Sequence, residues 1–217
     1  MMIKRSGRAA MLACTSVASL GLLAGASPAA AKTKTATFTQ CANAGVAIPD
    51  YGLNTGDPSP SGAFALPVSV PKFKGKPQDG VVTAFTAAGV RISHTDDGDL
   101  VLNLVSPGGK VAALANLRDG NTSGDGYGSG AGNCSGSLVS FGDAFSIPIA
   151  TPGNTTPGSP ITGSFKPEQP LAAFVGGPAR GNWTLVVTDT AADDVGTIDA
   201  LSLNFTYQYK VKPKKKK

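Results

Sequence analysis

His94-Thr95-Asp96-Asp97-Gly98-Asp99-Leu100 is a turn sequence that delivers the chain into Leu100-Val101-Leu102-Asn103-Leu104-Val105. Asp and Gly dominate the first stretch because Asp hydrogen-bonds its own backbone and Gly tolerates sharp bends. In the second, leucine occupies every other position, and a period of two places Leu100, Leu102 and Leu104 on one face of a strand. Gly181-Asn182-Trp183-Thr184-Leu185 repeats the plan later in the chain. A turn feeding an alternating strand, twice over, points to an all-β fold.

Working outward, strand-like segments recur at 45–48, 63–70, 81–94, 100–105, 111–117, 138–149, 183–189 and 198–209. In the last of these Leu201, Leu203, Phe205 and Tyr207 alternate with Ser202, Asn204, Thr206 and Gln208, the pattern of a strand with one dry and one wet face. Asp57-Pro58, Asp96-Asp97-Gly98, Ser106-Pro107-Gly108-Gly109 and Asp194-Val195-Gly196 supply turns between them. No long stretch of helical period occurs outside the N-terminal region. About eight short strands joined this way predict a two-sheet, jelly-roll-like β-sandwich. Segments 118–136 and 150–164 are rich in Gly, Pro and Ser and are expected to form mobile surface loops.

The ends of the chain read differently. Lys4, Arg5 and Arg8 precede an apolar stretch from Met11 to Leu23, and Ala29-Ala30-Ala31 ends in an A-x-A pattern. Residues 1–31 thus read as a secretory signal peptide rather than a membrane anchor, since the apolar run is short and rich in small residues. Residues 32–43 are expected as a polar leader, 44–209 as the sandwich and 210–217 as a lysine-rich tail. Of the 19 basic residues three lie in the signal peptide and six in the tail, so the part between holds ten against 14 acidic residues, a net of about −4. Removing Cys14 with the signal leaves Cys41 and Cys134, an even pair in an oxidising compartment and so an expected disulfide; neither has another Cys or a His nearby to suggest a metal site.

The order of several blocks resembles the P domain (P/Homo B domain) that follows the subtilisin-like catalytic domain of kexin- and furin-type proprotein convertases. Ile92, His94 and Thr95 match its Ile-x-His-Thr segment, Gly98-Asp99-Leu100 its strand opening, and Ser106-Pro107-Gly108-Gly109 its following turn. Later, Gly181, Trp183, Leu185, Val187 and Asp189 match Gly-x-Trp-x-Leu-x-Val-x-Asp, and Gly196-Thr197-Ile198 stands before the closing strand. Asp199-Ala200-Leu201 occupies the place where the family usually carries a Trp. The resemblance implies an accessory β-sandwich, here without its protease, whose expected partner is a subtilisin-like protease acting in trans.

Catalytic constellations are poorly represented. His94 is the only histidine, it has no Gly-x-Ser-x-Gly elbow to serve, and Glu168 is the only Glu. A non-catalytic protein is therefore expected, with serine-type proteolysis only by family association. Asp96, Asp97 and Asp99 in one turn, and Asp189, Asp193 and Asp194 in another, offer hard oxygen ligands of the kind Ca²⁺ prefers, with Asp97 and Asp99 the favoured pair; capping of the turns explains them equally. Lys210, Lys212, Lys214, Lys215, Lys216 and Lys217 form a cationic arm suited to an anionic envelope polymer, or simply to solubility. Such binding is sequence-blind, so no specific nucleic acid is expected. Lys72, Lys74 and Lys76 would share a face if their segment were extended.

Overall fold

The computed structural model describes residues 32–51, 61–118, 126–149 and 160–213. Among the described residues nine strands form two sheets. The first has the order β1 (Lys32–Ile48), β9 (Gly196–Val211), β3 (Val81–His94), β6 (Val139–Phe141), β7 (Ser164–Phe165). The second has the order β2 (Ser61–Val68), β8 (Gly181–Asp189), β4 (Leu100–Val105), β5 (Val111–Asn116). Every pairing is antiparallel except β6 with β7. Among the described residues no helix is long and apolar enough to cross a membrane.

Side-chain alternation decides what lies between the sheets. Leu100, Leu102 and Leu104 are buried while Val101, Asn103 and Val105 are only partly covered, as the period of two requires. On β9, Leu201, Leu203, Phe205 and Tyr207 point inward. Trp183 sits at the centre: Phe85, Phe174 and Phe205 surround it at centroid distances of 5.3, 5.1 and 5.2 Å, and its indole N–H donates to the Ala179 carbonyl at 3.1 Å. Tilted and edge-on aromatic packing of this kind adds to the free energy gained from burying the rings.

Four features differ from the sequence-based expectation. Residues 32–43 are no leader; they form the front of β1, which follows β9 from Lys32↔Val211 onward. Ala36 and Phe38 pack against the core there, with Phe38 stacked on Phe205 at 5.2 Å, so a mostly polar segment gains its strand from a distant partner. The expected strand 138–149 is cut to Val139–Phe141, because the Asp143 carboxylate accepts the backbone N–H groups of Leu171 and Ala172, each at 2.8 Å, to start a 3₁₀ turn at Leu171–Phe174. Lys72, Lys74 and Lys76 do not line one strand face: Phe73 and Lys76 exchange both backbone hydrogen bonds (2.9 and 3.0 Å) around a two-residue turn. Finally, Tyr127, inside a segment expected to be a loose loop, is fully buried and bridges Ile92 and Ile161. Residues 119–125 and 150–159 of the two expected loops lie outside the described residues, as do 1–31 and Lys214 to Lys217.

Candidate functional site: a buried His–Asp pair beneath an acidic turn

The two motif blocks meet where β3 ends and β9 begins. His94 closes β3, Asp189 closes β8, and the β3–β9 register sets His94 against Gly196. His94 Nε2 lies 3.2 Å from Asp189 Oδ2, and neither side chain has any exposure. The other ring nitrogen, Nδ1, is 3.1 Å from the Asp96 N–H and 2.5 Å from the Asp96 carbonyl. These are alternatives. A neutral ring with its proton on Nε2 accepts from Asp96 N–H and donates to Asp189; a doubly protonated ring donates to both oxygens. The imidazole is satisfied in either state.

Further bonds fasten the turns. Asp96 Oδ1 accepts from Gly98 N–H at 2.9 Å and caps the 3₁₀ turn Asp97–Asp99. Asp189 Oδ1 accepts from Ala191 N–H at 3.2 Å. Thr190 donates its N–H and its hydroxyl to the Asp99 carbonyl at 3.0 and 2.8 Å. Thr95 N–H donates to the Val195 carbonyl at 3.3 Å, and Val195 N–H returns a bond to Thr95 Oγ1 at 3.1 Å.

The acidic residues are sorted by burial rather than by sequence block. Asp97 is fully buried and Asp189 is committed to His94. Asp96, Asp99 and Asp194 instead each place a carboxylate oxygen within 4.8 Å of the others, mixing residues from both turns and leaving Asp193 out. Asp99 of the favoured pair belongs to this group, which is close enough together for a hard cation, whereas Asp97 does not. Their proximity has an electrostatic signature: burial, then the charges of Asp96, Asp189 and Asp194, raise the Asp99 carboxyl above the ordinary carboxylate value.

The remaining motif residues are structural. Ser106 Oγ accepts from Lys110 N–H at 3.1 Å and shapes the β4–β5 hairpin. Gly181 lies against Pro107 of that hairpin, where a Cβ would come within 2.8 Å of the Pro107 ring. Leu100, Trp183 and Leu185 are core. Cys41 and Cys134 are joined, as expected, and Cys134 N–H also donates to Asn43 Oδ1 at 2.9 Å. Glu168 is held by the Arg118 guanidinium.

One polar cluster carried no signal in the sequence reading. Asp199 accepts hydroxyl bonds from Ser93 and Thr197, each at 2.6 Å, and lies 3.9 Å from the Arg91 guanidinium; Arg91 and Asp199 are nearly buried and the two hydroxyl residues partly so. Arg91 also donates to the Ile92 and Tyr127 carbonyls at 2.8 and 3.2 Å. Asp199 is the centre of this cluster, and it is the pairing of β3 with β9, not a local sequence pattern, that brings its members together.

Two sheets pinned at one end by a buried His–Asp pair define a jelly-roll-like β-sandwich module whose motif residues hold turns together. The family model described as the proprotein convertase P-domain matches residues 84–131 and 153–205, and the chain belongs to that family. A comparison with curated proteins found no match. Among solved structures, the chain is similar to the serine protease of Aeromonas sobria in complex with its chaperone (16% identity, TM-score 0.44, covering 81% of this chain and 27% of that one). It is also similar to the same organism's serine protease alone (15% identity, TM-score 0.43, covering 80% and 27%). The chain therefore spans about a quarter of the length of those structures.

Proposed function

We propose that this protein is an exported, non-catalytic accessory domain that binds and stabilises a subtilisin-like serine protease in trans. The family membership carries this reading, since P domains are linked to such proteases. The packing of His94 supports its non-catalytic half: an imidazole with no exposure and both nitrogens engaged is a structural pin, whereas a general base must reach substrate. Export is supported by the signal-like pattern of residues 1–31 and fits a bridged Cys41–Cys134 pair, since disulfides persist outside the reducing cytosol.

Capture from the producer's secreted fraction tests the partner. Recovery of a subtilisin-like protease, undiminished when residues 210–217 are deleted, is the expected result. Recovery of no protease would sink the proposal. Peptide cleavage by the purified protein, lost in a folded His94→Ala variant, would overturn the non-catalytic assignment.

A further inference from the structure

The lysines that the sequence scatters over three regions converge at the end of the sandwich opposite His94. The β1–β9 register sets Lys32 against Val211 and Lys34 against Tyr209, so the start of the first strand lies beside the end of the last. The hairpin that carries Phe73 and Lys76 is tied to the same place. Gln78 uses its side-chain amide as a short piece of strand: its Nε2 donates to the Lys210 carbonyl at 3.1 Å, and its Oε1 accepts the Lys210 N–H at 3.0 Å. The β3–β9 pairing runs from Val81↔Gln208 at this end to His94↔Gly196 at the other. Lysines thus gather at one pole and the acidic turns at the opposite one.

Between hairpin and strand ends lies an open cavity of about 660 Å³. Phe73, Val81 and Tyr209 supply its apolar surface, and Lys74, Lys76 and Lys210 line it as well. Val81 is 47% exposed, unusual for a large apolar side chain at the start of a central strand. The one acidic residue of the lining, Asp79, is paired with Arg180 at 3.0 Å, so it offsets little of the positive charge. Gln78 and the 73–76 hairpin hold the walls in place before any ligand arrives, which lowers the ordering cost of binding.

We propose that this cavity is a docking site for an extended acidic peptide segment of a partner protein, one apolar side chain entering against Phe73, Val81 and Tyr209 while flanking carboxylates meet Lys74, Lys76 and Lys210. Charge complementarity selects an anion, and the apolar floor selects among anions. A phosphate polymer would satisfy the lysines yet leave the floor wet. It would also find no arginine fork for bidentate phosphate contacts, because none of the described residues lining the cavity is an arginine. A neutral apolar ligand would leave the lysines without a role. The site lies at the far end of β3 from the acidic turns and does not depend on the identity of a protease partner.

The probe is a fluorescently labelled peptide of Asp and Glu residues around a central Phe, titrated with the full secreted chain in an anisotropy measurement. Saturable binding is expected, weakening as salt rises. The Lys74→Glu, Lys76→Glu double variant should bind about tenfold more weakly. Phe73→Ala should weaken this peptide but not an all-acidic peptide without the Phe. Both variants change exposed or half-exposed side chains, and an unchanged melting temperature checks that each remains folded. No binding of the Phe-containing peptide overturns the proposal. So does binding of inorganic polyphosphate as tight as that of the peptide and indifferent to Phe73→Ala, which would make the pole a general anion binder.

Discussion

His94 Nε2 and Asp189 Oδ2 lie 3.2 Å apart with no exposure of either side chain, although the two residues end strands in different sheets. This bond ties the five-stranded sheet to the four-stranded one at the acidic pole. Removing Asp189 leaves the imidazole buried with a nitrogen unsatisfied and frees the Ala191 N–H. Asp189→Ala is therefore expected to cost about 3 kcal/mol in denaturant unfolding, the scale for breaking a buried polar pair from one side. Asp189→Asn keeps an oxygen in place and should cost clearly less. Equal costs for the two would show that shape and one acceptor oxygen are not enough, and that the carboxylate's charge or its second oxygen matters.

Gly196 lies against the face of that same ring. A Cβ built there would stand 2.3 Å from His94 Cδ2 and 2.5 Å from the Ser93 carbonyl, distances no packed methyl group tolerates. Gly196→Ala must push the imidazole off its partners or move the β3–β9 ladder, and a loss of about 2 kcal/mol is expected. Imidazole NMR resonances report which occurs. A shift confined to backbone amides of β9 would show that the ladder yields while the His94–Asp189 bond survives.

The alternation of Leu100, Leu102 and Leu104 could be read directly because one face of β4 is dry, and local sequence records that fact. The front of β1 could not. Its Lys and Thr residues say loop, and only its ladder with β9, more than 160 positions away, makes it a strand. The acidic turns show the same division. Sequence proximity grouped Asp96, Asp97 and Asp99, but adjacent turn residues face different ways, so burial removed Asp97 and the neighbouring turn supplied Asp194. Tyr127 was hidden by its glycine-rich surroundings; a lone aromatic in such a run was the available signal. The lysine pole was equally illegible, because it needs the register that brings positions 32, 76 and 210 together.

Burial of Asp99, reinforced by repulsion within the acidic turns, gives stability a pH dependence. Asp99 titrates above its ordinary value of 3.8, first through burial and then through Asp96, Asp189 and Asp194. A carboxyl raised by folding favours the native state while protonated, and that contribution disappears as pH rises through the raised value. At neutral pH the charged Asp99 is a net cost. Asp99→Asn is thus expected to melt higher than the parent at pH 7, with the difference shrinking as pH falls toward 4. Melting curves of both proteins across that range check it, and a difference that grows on acidification would contradict the assignment.

Cys41 and Cys134 are 93 positions apart, and their bond joins β1 to the described part of the glycine-rich segment. The Cys134 N–H bond to Asn43 Oδ1 adds a second tie to the same strand. Cross-linking so long a loop restricts the unfolded chain severely, and the chain-entropy relation assigns about 4–5 kcal/mol to it. The double variant Cys41→Ser, Cys134→Ser should fall in stability by that order while keeping the β signature in circular dichroism, because the rings packed on Trp183 (Phe85, Phe174 and Phe205) lie outside β1 and the glycine-rich segment. The parent should respond to reductant in the same direction, and the variant should not respond at all. A double variant as stable as the parent would mean that the unbridged unfolded chain is already compact, with β1 and this segment close together before folding.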